Sequence, residues 1–97
     1  MKMRHVTPSR NLTSILKEGL DPVYAVTPSD KKYVWLHTPR QTPWAVRHTS
    51  RRKQVSENEV VILAVTVPRT WLSRAWPGVW RCPRGIPPER LRVLAAS

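Results

Sequence analysis

RHVTPSRNLTSILKEGLDP, residues Arg4 to Pro22, decides the reading of the fold. Met3 to Thr7 has the composition of a short strand, and Pro8 turns the chain out of it. One amphipathic helix follows. Ser9 or Asn11 supplies the side-chain oxygen that caps a helix start, with Pro8 just outside or just inside it. Leu12, Ile15 and Leu16 fall at i, i+3 and i+4 and form one apolar stripe. Gly19 stands where a left-handed residue ends a helix, Leu20 gives the hydrophobic closure, and Pro22 forbids continuation. His5 is therefore carried on a strand locked by a capped helix, and is the first candidate for chemistry.

Downstream, Val23 to Asp30 reads as a surface loop. KYVWLHT (Lys32–Thr38) is a strand, with Tyr33, Trp35 and His37 on one face and Val34 and Leu36 on the other. Thr42-Pro43 opens a short helix from about Pro43 to Ser50, with basic residues at its C-terminal end as the helix dipole favours. Ser56 to Asn58 is a turn. EVVILAVTVP (Glu59–Pro68) is short, apolar and β-branched, which predicts a central strand buried on both faces. Arg69 to Pro77 reads as irregular, with Trp71, Leu72 and Trp76 capping one edge of the core. VWRC (Val79–Cys82) is a strand, PRGIPP a turn, and ERLRVLAA a final strand or brief helix. This order predicts an α+β fold around a small, strongly bent sheet.

Length and charge bound the function. The 97 residues suit one domain spanning 1–97. Seventeen Lys and Arg face six acids, giving +11. No acid lies between Lys31 and Ser56, and only Glu89 lies between Val60 and Ser97. Such an excess points to a polyanionic partner, RNA or DNA. No run of about 18 apolar residues predicts a membrane span. MKMRHVTPSR lacks the apolar stretch of a signal peptide, so the expected location is cytoplasmic. Cys82 is the only cysteine, which excludes an internal disulfide and a four-cysteine zinc site. The glycines fit no phosphate-cradling spacing, no HExxH or Cys-His cluster offers a metal site, and the paired acids of glycoside hydrolysis are missing.

What remains is an aromatic and histidine set. Tyr33 or Trp35 offers a stacking platform for a flat heterocycle, and His5 and His37 offer hydrogen bonds to sugar hydroxyls or phosphate. Arg47, Arg51, Arg52 and Lys53 offer phosphate contacts, since guanidinium groups bind phosphate through two parallel hydrogen bonds.

Four stretches in order, RHVTPSRNLTSILKEGLDP, KYVWLHTPRQTPWA, EVVILAVTVP and PGVWRCPRGIPPERL, resemble the ADP-ribosyltransferase fold. The last is most similar to the RNA 2′-phosphotransferase branch, and its IPPER turn resembles that of DNA-directed ADP-ribosyltransferase toxins. The resemblance implies small bent or split β-sheets with two short helices, and NAD bound as substrate in a cleft between two small sheets. It implies that His5 bonds the nicotinamide ribose, that Thr7 positions the ligand, and that Tyr33 or Trp35 packs on the nicotinamide. Arg47 and His48 lie roughly where the phosphotransferase branch carries basic residues. The acid that this family places before the closing turn has no counterpart, because GVWRC sets Val79 or Trp80 there. Three functions follow from the resemblance. One is a phosphotransferase-type enzyme working through arginines and a histidine. Another is an ADP-ribosyltransferase acting on a nucleic-acid or protein acceptor, with His5, Tyr33, Trp35 and His37 as its catalytic set. The third is an inactive basic nucleic-acid binder, or a small phage- or toxin-type effector that inhibits a protein target by binding it.

Overall fold

The third strand is a nearly continuous apolar run, and its pairing with the first strand builds the centre of the molecule. A computed structural model describes residues 1–22 and 33–96; the loop expected at Val23–Asp30 lies outside the described residues. In chain order the elements are β1 (Lys2–Pro8), α1 (Leu12–Glu18), β2 (Val34–His37), α2 (Thr42–Lys53), β3 (Val60–Thr66), β4 (Ser73–Trp76), β5 (Val79–Cys82) and β6 (Leu91–Ala96). The strands form one six-stranded sheet in the order β4-β5-β2-β1-β3-β6, antiparallel throughout. The α+β class therefore stands. The described strands make a single sheet, however, in place of separate small ones. Its weak seam is at β1 and β2, which share one register pair, Arg4 with His37. By contrast β1 and β3 are paired from Lys2↔Thr66 to Pro8↔Val60.

Each face of the sheet has its own core, because successive side chains point to opposite sides. On one face Met3, Leu36, Leu63, Val65 and Cys82 pack with Leu20 and Ile86, and Leu12 and Ile15 of α1 close over them. On the other, Val6 and Val60 meet Ala45 and Val46 of α2. Leu16 is 44% exposed, so the stripe on α1 narrows to Leu12 and Ile15. The α1 terminus follows the expected logic. Gly19 has φ +87°, its N–H bonds the Ile15 carbonyl at 2.7 Å, and a Cβ there would sit 2.2 Å from the Ile86 carbonyl oxygen. Leu20 and Ile86 then exchange backbone hydrogen bonds of 2.9 and 2.8 Å, tying the helix end to the closing turn.

Several boundaries differ from the sequence reading. A 3-10 turn over Ser9–Asn11 precedes α1, which starts without a side-chain cap; the Ser9 hydroxyl donates instead to the Glu59 carbonyl at 3.0 Å. Helix α2 runs past Ser50 to Lys53 and stops at left-handed Gln54. Strand β3 lies one place from the sheet edge, and its outer half is less covered, with Thr66 exposed. Arg69 to Pro77 is not irregular: a 3-10 turn at Arg69–Trp71 leads into β4, which pairs with β5 through the Pro77-Gly78 turn. Trp71 and Leu72 do pack on the core, whereas Trp76 is 51% exposed. ERLRVLAA forms part of a turn and then strand β6.

Candidate functional site

The seam between β1 and β2 is where the site forms. Beyond the Arg4–His37 pair the two strands do not continue their ladder, and the Trp35 carbonyl takes a side-chain donor. That donor is His5, whose Nδ1–H lies 2.8 Å from the oxygen. Donation from Nδ1 fixes the neutral tautomer and leaves Nε2 as an acceptor. Burial lowers the His5 pKa, an effect that the Trp35 bond opposes and the charge of Lys53 reinforces. His37 is buried and its pKa is lowered to about 4, first by burial and then by His5 and Arg4. Both imidazoles are therefore neutral at pH 7.

A cleft of about 690 Å³ opens on this seam. His5 and Thr7 of β1, Tyr33, and Trp35 and His37 of β2 all line it. Helix α2 contributes Trp44, His48, Arg52 and Lys53, and the β4–β5 hairpin contributes Trp76 and Val79. Among its lining acids, Glu18 belongs to α1 and Asp21 follows it. The aromatic rings form a row: Tyr33 meets Trp35 edge-on at 6.0 Å between centroids, and Trp35 meets Trp76 at 5.8 Å. The Arg81 guanidinium stands 4.6 Å from the Tyr33 ring centroid at the end of that row. Two polar atoms here, Trp35 Nε1 and His37 Nε2, are buried without a hydrogen-bond partner among the described residues. An orphaned buried donor or acceptor costs about 1–3 kcal/mol, so the two atoms mark a locally unsatisfied part of the seam.

The cleft thus gathers His5, Thr7, Tyr33, Trp35 and His37 together with Arg52 and Lys53. Arg47 and Arg51, exposed on α2, are not among its lining residues. Sequence reasoning missed Trp44 and Trp76 as lining residues, and reached His48 and Val79 only through the resemblance. Trp44 and His48 were legible in principle, since i and i+4 on a helix are neighbours; their rings stack at 4.8 Å. Trp76 carried no signal once its strand went unread. Among the described residues no group of three His, Cys, Asp or Glu is placed to hold a metal ion. No helix among them is long and apolar enough to cross a membrane. No protein-family model matches the sequence, and neither does any curated protein.

Proposed function

We propose that the chain is an ADP-ribosyltransferase-like protein that binds NAD in this cleft and modifies a nucleic-acid acceptor. The hydrogen bond from His5 to the Trp35 carbonyl carries the reading, because it orients the imidazole and makes Nε2 its free ring nitrogen beside a row of aromatic rings. The cleft fits a dinucleotide in kind: its volume is within the range of about 300–1,000 Å³ common to ligand sites, and its walls are mostly apolar with a few polar groups. Bound NAD would supply an ADP-ribosyl group with nicotinamide as the leaving group. His5 Nε2 would accept from a ribose hydroxyl, and Tyr33 or Trp35 would stack on the nicotinamide ring. Thr7 would orient the sugar. His37, neutral and partnerless at Nε2, would bond a polar edge of the ligand. Arg52 and Lys53 bring positive charge to the rim, where phosphate is attracted.

Titration calorimetry with NAD tests this on the wild type and on His5→Ala. Saturable heat in the wild type, weakened at least about tenfold in the variant, is the expected result, as for loss of a buried polar contact. Absence of heat up to millimolar NAD rejects the reading.

One observation favours a second reading, a catalytically inactive basic nucleic-acid binder or binding effector. Val79 lines the cleft on β5, where the resemblance calls for an acid. Transfer of label from NAD onto RNA or DNA supports the enzyme; nucleic-acid binding without transfer supports the binder.

A further inference from the structure

A second cluster of aromatic rings and arginines lies outside the cleft. On β5 Trp80 alternates with Val79 and Arg81, and together with Trp71 it packs against the core that holds Leu36 and Leu63. Two guanidinium groups lie over Trp71: Arg84 at 3.9 Å and Arg90 at 4.8 Å from the ring centroid. A third, that of Arg69, lies 5.5 Å from the Trp80 centroid. None of these five residues lines the cleft. They come from three separate segments, so the fold itself brings them together.

The chemistry of the cluster is one-sided. Residues 60–97 contain six arginines and a single acid, Glu89. Among the described residues the side-chain contacts of Arg69, Arg84 and Arg90 are the indole rings and, for Arg90, the Thr66 carbonyl at 3.3 Å. A guanidinium resting on an indole uses its flat face and keeps its in-plane N–H donors at the edge. That edge is the fork that matches two oxygens of a phosphate. Stacking also restricts the side chain beforehand, which reduces the ordering cost of binding.

We infer that the Arg69, Arg84 and Arg90 cluster is a second docking site, separate from the cleft, for the phosphate backbone of a nucleic acid. The site recognises charge and phosphate geometry and is indifferent to base sequence. It does not depend on NAD binding.

The test is fluorescence anisotropy of a labelled oligonucleotide with the full chain, over about 50–200 mM salt. Arg69→Gln with Arg84→Gln spares Arg90 and its bond to Thr66. The expected result is a salt slope shallower by roughly 1.5–2 and an affinity lower by about tenfold at low salt. Arg10→Gln with Arg40→Gln removes the same charge from exposed positions elsewhere and has a clearly smaller effect. Equal losses in the two pairs reduce the effect to total charge and overturn the inference, as does an unchanged slope. Displacement of the oligonucleotide by polyglutamate at equal charge assigns the surface to acidic proteins and overturns it too. Should the first pair fail to fold, Arg69→Lys with Arg84→Lys keeps the charge and removes the fork. Several-fold weaker binding at a preserved slope is then expected, and unchanged affinity refutes the site. Calorimetry with NAD on the same variants reads the cleft alone, so failure here and failure of the NAD reading are separable.

Discussion

The two halves of the sheet, divided at the seam between β1 and β2, are treated differently by the rest of the chain. On the β1–β3–β6 side, α2 presses Ala45 and Val46 onto Val6 and Val60, and all four are buried. The same face of the β4–β5–β2 side carries Tyr33, Trp35, Arg81 and Trp76, and none of these belongs to either buried core cluster. One sheet thus serves two purposes. Where a helix supplies apolar cover, the side chains are aliphatic and hold the fold. Outside those two buried clusters they are aromatic and basic, and the aromatic ones line the cleft together with residues of α2. The seam between the halves is where His5 and His37 sit. The contrast teaches that incomplete cover leaves the cleft open beside a well-packed core.

The comparison breaks most decisively at the covered half. Leu63, fully buried opposite His5 in the β1–β3 ladder, has no exposed surface to lose. Leu63→Ala is expected to cost about 2–5 kcal/mol, from lost burial and the cavity left behind. That is a large part of the roughly 5–15 kcal/mol that holds a small domain together. Urea unfolding measures it. A cost below about 1 kcal/mol would mean that this half is not the stabilising one.

The seam gives a smaller effect, dependent on pH. The folded-state pKa of His37 lies at about 4, below the ordinary value of 6.5. Between those values the unfolded chain binds a proton that the folded chain refuses, so stability rises with pH in this window. It is fully present above about pH 6.5 and is lost as the pH falls through 4, by a few kcal/mol at most from this residue. His5, also shifted downward by burial, acts in the same direction. Unfolding curves at neutral and mildly acid pH should separate accordingly, and His37→Asn should bring them closer. A variant whose curves separate as far as those of the wild type would remove His37 as the cause.

The covered half was legible in the sequence and the open half only in part. Val60 to Val65 announces a buried strand by its β-branched run, and Gly19 with Leu20 announces a helix end by residue type alone. The alternation in YVWLH likewise separated Val34 and Leu36, which belong to the buried core cluster, from Tyr33, Trp35 and His37, which do not, although all five line the cleft. The weak β1–β2 pairing was not legible, because register is a property of two strands and of the turns that bring them together. Nor was β4 legible. SRAW is four residues long, largely exposed, and paired with β5 on one side only, so it lacks the apolar alternation that marks a half-buried strand. The Arg–Trp contacts at Trp71 and Trp80 join residues far apart in sequence and leave no local pattern.

The smallest stability effect makes the sharpest test of the contrast. Trp76 is 51% exposed and touches the aromatic row through Trp35, at 5.8 Å between rings. Trp76→Ala removes one aromatic contact and little buried area, so the fold should lose about 1 kcal/mol or less. If the open half exists to take a flat ring, the same substitution should weaken NAD or oligonucleotide binding by about tenfold or more, the scale of one lost stacking platform. Leu63→Ala, measured where it remains folded, should show the reverse: a large loss of stability with ligand affinity nearly kept. A Trp76→Ala protein destabilised as much as Leu63→Ala would show that the open half is core after all. One that loses neither stability nor affinity would leave the exposed indole without the ligand role that its position in the row assigns to it.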